Sequence, residues 1–497
     1  MSFHKMKPFW ITGAFFGLLF ILLFSIRSDI FHEFFSAPPL SNSVSDSPLK
    51  GKQKGHERDS WMNIFQNDLK IGYSHSSLSK QKDGYRLQET VFMRINTLGM
   101  TQDMNLSTKA VLNPDFTLSS LDFKMDSGLF SFVLNGTVSG DVLSLSITSS
   151  GAERTMDMKL EKKPYITAGI MDAVRAAQGK PGDAFFFDIF DPSTMSQETV
   201  TVNIIAKGEI LNMGIRKKAT QVTLSFKGAT QQAWIGENGE VLKEKGLLGI
   251  TLVKTDKNDA IFGAISDAGE DLTKVASIES NRIFDNPSDL DILKIRISGI
   301  TYDNFLLDGG RQTFKGDVLT IQKEDLSAIQ RMGDFEIPET FSESLKATTF
   351  IQSDHEKIRN LAGKIVLPDD KPLKKAEKLM NWIYENIEKR PVLSLPDAMS
   401  TLENRMGDCN EHAVLFAAMA RASGIPSEIE TGLVYLDGRF YYHAWNSLYL
   451  GQWVSADAVF AQMPADVTHI RLASGGQDKQ LDLLGIIGKV KLEVMEH

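Results

Sequence analysis

The sequence contains very little cysteine: one residue, Cys409, in a chain of 497. A single cysteine excludes an intramolecular disulfide framework. It also excludes zinc sites built from paired cysteines and iron–sulfur clusters, which need several thiolates. A chain of this length can bury real cores without such crosslinks. Cys409 is therefore either a small buried apolar residue or a reactive thiol.

An excess of positive charge is also lacking. Lys and Arg number 54 against 63 for Asp and Glu, which gives a net charge of −9. Nucleic-acid binding depends on basic patches, so the composition does not favour a nucleic-acid partner. The fractions of apolar residues (42%) and charged residues (24%) are those of an ordinary globular protein, and the length suggests about three domains.

One long apolar run lies near the N-terminus. Phe9 to Ile26 reads FWITGAFFGLLFILLFSI and contains no charged residue, and Lys5 and Lys7 precede it. Eighteen residues at about 1.5 Å rise are close to the minimum that spans a bilayer core of about 30 Å, and basic residues favour a cytoplasmic N-terminal side. We therefore expect residues 1–35 to be a cytoplasmic stub and a transmembrane signal anchor. A cleaved signal peptide is the alternative.

Both readings place the body of the protein outside the cytoplasm. The expected location is the cell membrane, with a single pass and the bulk of the chain extracytoplasmic, or periplasmic in a Gram-negative cell. Residues 36–60 are rich in Ser, Pro, Gly and Lys, and they are expected to form a flexible linker.

Residues 61–326 are predicted to form an antiparallel β-rich domain. Apolar residues alternate with polar ones in stretches such as Tyr85 to Ile95, and Gly, Asn, Asp and Pro separate the stretches. One helix is expected near Ile166 to Gln178, and Asn238-Gly239 indicates a hairpin. The strands before and after the helix could be two halves of one sheet. No motif in this region carries chemistry, so an envelope protein partner is left open for it.

Residues 327–497 change to a helical period followed by strands. Lys371 to Lys389 has the apolar stripe of an amphipathic helix. A second helix is predicted to start at Asp408 as N-cap and to end at Gly424-Ile425-Pro426. This places Cys409 in the first turn, where the helix dipole and the free N–H groups favour a thiolate. The sequence therefore predicts a lowered pKa for this thiol.

Two further residue types follow Cys409 in order. His443 lies in a predicted strand, Arg439 to Leu450, and Asp457 lies on the next predicted strand, which begins with Trp453 to Asp457. Adjacent antiparallel strands would place Asp457 beside His443. A lone histidine in a strand is usually structural, but a thiol, an imidazole and a carboxylate together are the groups that nucleophilic acyl transfer needs. The spacing does not show whether His443 reaches Cys409.

The segments GDCNEHAVLFAAMARASGIP, FYYHAWNSLYL and GQWVSAD occur in this order between about Lys371 and Gly475. Together they resemble the transglutaminase-like core of the papain-like thiol superfamily. The resemblance implies Cys409 as nucleophile, His443 as base and Asp457 as orienting carboxylate. It also implies an oxyanion hole that uses the Cys409 backbone N–H and a second, unassigned donor. Family members include proteases, amidases, cross-linking enzymes and inactive relatives.

Other polar residues near these positions are open to two readings each. Asp408, Glu411 and His412 could suggest a metal cluster, but a solvated helix start is the preferred reading. Asp466 and His469 could line a substrate cleft, although a structural turn is favoured. No cofactor and no metal site are expected.

The fold class expected overall is α+β: an N-terminal transmembrane helix, a large antiparallel β-rich domain and a C-terminal transglutaminase-like domain. The predicted function is a membrane-anchored extracytoplasmic cysteine enzyme. It would act on amide bonds of a peptide or protein substrate through an acyl-enzyme, with hydrolysis slightly favoured over amine transfer. The alternative is a non-catalytic envelope scaffold or partner-binding protein that retains the fold.

Overall fold

The computed structural model describes residues 44–45, 57–128, 130–149, 152–192, 195–267, 269–331, 335–475 and 481–496. Strands hold 47% of the described residues and helices 21%. Contacts divide the chain into two compact units, one ending at Leu272 and one starting at Thr273. The expected α+β class is therefore corrected to a mostly β protein, because one very large sheet dominates the first unit.

The transmembrane part of the expected fold class is also corrected. Phe9 to Ile26 lies outside the described residues. In the part of the chain that the structure describes, no helix is long and apolar enough to cross a bilayer. The longest helix there, Pro372–Asn386, has 15 residues. At about 1.5 Å per residue it is shorter than a bilayer core of about 30 Å, and it carries several lysines.

Among its described residues, the first unit consists of one sheet with two short helices. Its strands are β1 (Val44–Ser45), β2 (Arg58–Gln66), β3 (Leu69–Gln81), β4 (Gly84–Thr97), β5 (Met100–Leu112), β6 (Leu118–Asp126), β7 (Ser131–Ser139), β8 (Val142–Ser149), β9 (Ala152–Lys159), β10 (Ala184–Asp191), β11 (Ser196–Asn212), β12 (Ile215–Phe226), β13 (Ala229–Gly236), β14 (Val241–Lys245) and β15 (Ile250–Thr255). Its helices are α1 (Ile170–Ala177) and α2 (Lys257–Phe262), with 3₁₀ turns at Thr167–Gly169 and Leu247–Gly249.

The sheet joins two meanders. Strands β2 to β9 pair in sequence order, strands β10 to β15 do the same, and β15 pairs antiparallel with β2, so that Ile250 faces Gln66. Residues along β4 alternate between buried and more exposed positions, which is the period of a sheet with one buried face. The predicted helix near 166–178, the hairpin at Asn238-Gly239 and the pairing of two halves in one sheet are confirmed.

The second unit combines short strands with longer helices. Its strands are β16 (Ile278–Glu279), β17 (Ile292–Ser298), β18 (Gln312–Lys315), β19 (Val318–Gln322), β20 (Glu388–Lys389), β21 (Met406–Gly407), β22 (Ser427–Leu436), β23 (Arg439–Tyr449), β24 (Trp453–Ala456), β25 (Ile470–Ser474) and β26 (Lys491–Glu496). Its helices are α3 (Leu272–Ala276), α4 (Leu326–Arg331), α5 (Glu356–Ile365), α6 (Pro372–Asn386), α7 (Ala398–Asn404) and α8 (Cys409–Ala422), with 3₁₀ turns at Pro287–Asp289, Glu339–Phe341, Glu343–Leu345 and Leu481–Ile486.

Helix α8 is the centre of this unit. Cys409 to Arg421 are all buried, because α5, α6 and α7 pack on the helix together with β22 and β23. Strand β23 pairs with β16, β22 and β24, and β22 also pairs with β25. A second sheet has the order β18-β19-β17-β26, so the C-terminal strand pairs with residues 292–298. The buried helix start therefore lies against the strand that carries His443.

Gly432 allows strands β22 and β25 to approach each other closely, opposite His443. It faces His443 across the β22–β23 pair, and a Cβ at this position would lie 1.9 Å from the carbonyl oxygen of Ile470. Gly432→Ala is expected to cost about 1–3 kcal/mol of unfolding free energy, because backbone would have to move. Urea unfolding measures the change.

Gly363 provides the matched control in the same unit. It lies in α5, and a Cβ there would meet nothing within 4 Å. Gly363→Ala should be neutral or stabilising by up to about 1 kcal/mol, because alanine favours the helix. Equal unfolding free energies for Gly432→Ala and the unsubstituted protein would contradict the steric argument.

Candidate active site

Cys409 lies in the first turn of α8, as the sequence predicts. Asp408 is the N-cap: its Oδ1 accepts the Asn410 backbone N–H at 2.9 Å, and its own N–H donates to Glu411 Oε2 at 2.9 Å. This reciprocal capping box fixes the start of the helix. Ser394 donates to the other oxygen of Glu411 at 2.6 Å. The position of the thiol is thus set by a buried, hydrogen-bonded turn.

The Cys409 side chain is completely buried, and its Sγ accepts the backbone N–H of Ala444 at 3.1 Å. Burial raises the pKa of the Cys409 thiol well above its usual value, and the nearby Asp408 carboxyl raises it further. The Ala444 N–H acts in the opposite direction without reversing the shift. The predicted lowered pKa is therefore wrong for this arrangement, since lost hydration outweighs the hydrogen bond from Ala444.

His443 and Asp457 lie beside each other, and this prediction is confirmed. His443 Nε2 is 2.6 Å from Asp457 Oδ2, and both side chains are buried. A carboxylate can only accept, so Nε2 donates the hydrogen bond and Nδ1 of neutral His443 has a free lone pair. Because Ala444 follows His443 in β23 and binds the sulfur, the structure brings Cys409, His443 and Asp457 to one place. Their catalytic roles stay a prediction.

The carboxylate of Asp457 accepts four hydrogen bonds. Its Oδ1 accepts the backbone N–H groups of Val459 at 2.7 Å and Phe460 at 3.3 Å, and its Oδ2 accepts from His443 and His469. Burial opposes ionisation of this carboxyl, but His443 and His469 outweigh burial and hold the pKa of Asp457 well below its usual range. Asp457 is therefore a fixed negative charge next to His443.

His469 is a member of this network that the sequence argument did not assign to it. Its Nε2 is 3.0 Å from Asp457 Oδ2, the same oxygen that His443 binds. Its Nδ1 lies 3.2 Å from the backbone oxygen of Asp466 and 3.3 Å from Oδ1 of that residue. Asp466 also accepts from Thr468 through its backbone N–H and its hydroxyl. The sequence places Asp466 and His469, three residues apart, shortly after Asp457. This spacing does not reveal that His443 and His469 share an oxygen of Asp457.

Aromatic rings enclose the imidazole of His443. Phe460 stacks on it with ring centroids 5.3 Å apart and is itself only half-buried. Trp445 lies 6.0 Å from it, and its Nε1 donates to Glu430 at 2.8 Å. Trp453 packs against Phe341. Both tryptophans are packing residues in this arrangement, and Phe460 links the buried histidine to the surface.

The helix start is not solvated, which corrects the preferred reading of Asp408, Glu411 and His412. All three are buried, with exposures of 1% each. His412 Nδ1 donates to the backbone oxygen of Asp408 at 2.6 Å, and burial lowers the pKa of His412 to about 4. Burial and Glu411 raise the pKa of Asp408. The first turn of α8 is polar but shielded from solvent, because the helix starts inside the core.

Within the described residues, His443, Asp457 and His469 could also bring ligand atoms together, since these lie within 4.8 Å of one another. A metal bound through the two Nε2 atoms would require both of them to offer lone pairs. Here both Nε2 atoms face one carboxylate oxygen at 2.6 and 3.0 Å, which are hydrogen-bond distances that require N–H groups. The arrangement therefore fits a hydrogen-bonded network in which both histidines donate to the Asp457 carboxylate.

The family comparison agrees with this geometry. Residues 359–458 match the model of the transglutaminase-like superfamily. This segment is a transglutaminase-like core. It contains Cys409, His443 and Asp457, and the match supports a cysteine-based enzyme.

Individual relatives cover little of either chain. A Haemophilus influenzae protein described as uncharacterized is 36% identical over 90 residues, which are 17% of this chain and 24% of that protein. The chain thus matches about a quarter of that relative.

Two solved structures are also similar. A candidate cysteine protease from Cytophaga hutchinsonii is 16% identical, with a TM-score of 0.27 over 41% of this chain and 83% of its own. A candidate protease from Parabacteroides distasonis is 11% identical, with a TM-score of 0.19 over 66% of this chain and 63% of its own. Both scores are too low to establish a common overall fold.

Proposed function

We propose that this protein is a cysteine enzyme that cleaves or transfers acyl groups from amide bonds of a peptide or protein substrate. The observation that carries the proposal is the hydrogen bond of 2.6 Å between His443 Nε2 and Asp457 Oδ2, one residue before Ala444, whose backbone N–H binds the buried sulfur of Cys409. The transglutaminase-like match over these residues supports it. In this reaction the sulfur forms a bond to the acyl carbon while the carbon–nitrogen bond breaks.

His443 is the proton carrier of the proposed reaction. Because its Nε2 proton is committed to Asp457, Nδ1 can take the thiol proton and return it to the leaving amine. Water or a second amine then attacks the thioester, gives its proton to His443 and releases Cys409. The backbone N–H of Cys409, in the first helical turn, is the proposed donor to the developing oxyanion.

The raised pKa of Cys409 makes this base essential. A thiol that burial keeps protonated does not supply a thiolate at pH 7 by itself. The proton must pass to His443 as attack proceeds, and the imidazolium is stabilised by Asp457. Loss of His443 is therefore expected to be more damaging than in an enzyme whose thiolate forms without a partner.

Substrate access requires side chains to move. Cys409 and Asp457 have no exposed surface, and His443 is 4% exposed. Phe460 stacks on His443 and is partly exposed, so it is the proposed point at which the site opens. The same complete burial is the observation that favours the second candidate function, a non-catalytic scaffold that retains the fold.

Alkylation of Cys409 decides between these functions. Because Cys409 is the only cysteine, iodoacetamide adds to one thiol, and intact-mass spectrometry at pH 7 gives its rate. His443→Gln keeps a donor toward Asp457 but removes the base, so labelling should slow at least about 100-fold. His75→Gln, which alters a histidine of the first unit, should leave the rate unchanged. Equal rates for His443→Gln and the unsubstituted protein would refute the enzyme proposal.

The acceptor is determined by product masses. Glutamine-containing peptides incubated with the protein and a primary amine should give shortened or deamidated peptides if water is the acceptor, and amine adducts if transfer dominates. Hydrolysis is slightly favoured, because water needs no second binding site.

A further inference from the structure

His469 is completely buried between two carboxylates. Its Nε2 faces Asp457 Oδ2 at 3.0 Å, and its Nδ1 faces the backbone oxygen and Oδ1 of Asp466 at 3.2 and 3.3 Å. Each of these oxygens is a hydrogen-bond acceptor. A neutral imidazole has only one N–H, so only the imidazolium satisfies both sides. His469 is therefore a buried cation.

The charged groups around His469 come from each element that packs on it. Asp457 follows β24, Asp466 precedes β25, and His443 faces it from β23 with ring centroids 5.6 Å apart. Arg311 donates to the backbone oxygens of Asp466 and His469 at 3.1 and 3.0 Å.

Two further contacts complete the surroundings. Arg311 is paired with Glu324 at 3.2 Å, and Trp445 presents a ring to His469 at 5.2 Å. Burial opposes the charge on His469, but Asp466 and Asp457 raise its pKa to about 9. The cation thus persists at neutral pH beside the base.

We propose that His469 is a positioning residue that tunes the basicity of His443 through the carboxylate oxygen that the two histidines share. The proposal rests on the proposed roles of Cys409 and His443. His469 holds Oδ2 of Asp457 in place and neutralises part of its charge. A second positive charge on His443 is therefore less stable than it would be beside an undivided carboxylate.

This proposal predicts that removing the charge of His469 shifts the pH dependence of Cys409 labelling. Removing the cation from His469 should make protonation of His443 more favourable, because Asp457 would then stabilise only one imidazolium. The two rings lie 5.6 Å apart between centroids. Two unit charges at about that distance in a partly screened site interact strongly enough to shift the labelling profile by roughly one to two pH units.

The experiment is the pH profile of iodoacetamide labelling of the full chain, from pH 5 to 10. His469→Gln keeps a donor toward Asp457 without the charge, and its profile should move to higher pH by roughly one to two units. His75→Gln is the matched control and should not move the profile. A His469→Gln protein that keeps its circular dichroism spectrum and shows an unmoved profile would overturn the proposal.

Asp466→Asn tests the same idea without altering the ring. Without this carboxylate, His469 should lose its proton nearer its ordinary pKa. The profile should follow the unsubstituted protein at low pH and His469→Gln at high pH. An Asp466→Asn profile that follows the unsubstituted protein throughout would also contradict the proposal.

A measurement on the unsubstituted protein does not depend on folding of a variant or on catalysis. With ¹⁵N-labelled histidine, NMR at pH 8 should show one ring protonated on both nitrogens. Its absence would refute the buried cation. If labelling depends on His443 but the His469→Gln profile is unmoved, only the role of His469 is refuted. If labelling is unchanged in His443→Gln, the proposed function is refuted instead. In that case, NMR of the His443 ring in His469→Gln would still show whether the two histidines are coupled.

Discussion

Cys409→Ser should lose acyl transfer by on the order of 10⁴-fold or more while keeping nearly all of its unfolding free energy. A hydroxyl is a much weaker nucleophile than a thiol in a site built for sulfur, so the chemical step fails. The serine oxygen can still accept the Ala444 N–H, which Sγ accepts at 3.1 Å. Peptide turnover followed by mass spectrometry and urea unfolding measure the two effects.

Cys409→Ala is the control that separates chemistry from structure. It should be equally inactive, but it leaves the buried Ala444 N–H without an acceptor, which costs about 1–3 kcal/mol. A Cys409→Ser protein with appreciable turnover would show that Cys409 is not the nucleophile. Equal stability of the two variants would show that the Ala444 hydrogen bond is unimportant.

Local sequence signals are sufficient to predict the helix and strands that carry the site residues. Asp408 and Gly424 bracket α8 because an N-cap side chain and a glycine with φ of 80° are local requirements of helix ends. Asp437-Gly438 fixes the β22–β23 hairpin for a similar reason. Since β24 follows β23 after a short turn, the position of Asp457 beside His443 could also be predicted.

The environment of the site could not be predicted in this way. The pKa of Cys409 depends on burial by α5, α6 and α7, which are distant in sequence or separated by irregular segments. The charge of His469 depends on Asp466 and on the carboxylate of Asp457, twelve residues earlier, whose oxygen it shares with His443 from β23. Local pattern shows which groups exist, whereas tertiary packing decides how much water and charge surround them.

Which strands join the two halves of the sheet could not be predicted, for a different reason. Period-two alternation identifies single strands such as β4, but it does not specify which strands pair across a long separation. Strands β2 and β15 are about 190 residues apart in the chain, and their pairing turns two meanders into one sheet. Likewise, the pairing of β17 with β26 links residues 292–298 to the C-terminal strand.

Asp457→Ala should be the most destabilising single substitution in the site, with a loss of about 3–5 kcal/mol in unfolding free energy. Removing this carboxylate leaves the buried cation His469 with one charged partner and leaves Nε2 of His443 with none, and an unpaired buried charge carries a cost of that size. Urea unfolding followed by circular dichroism measures the loss.

Asp457→Asn keeps the shape of the side chain and the oxygen that accepts from Val459, so its loss of unfolding free energy should be smaller than that of Asp457→Ala. Its amide would present N–H to His443, which favours the wrong tautomer, so turnover should still fall about 10⁴-fold. Full turnover in Asp457→Asn would contradict the role of Asp457 in orienting His443, and an unchanged midpoint in Asp457→Ala would contradict the charge network.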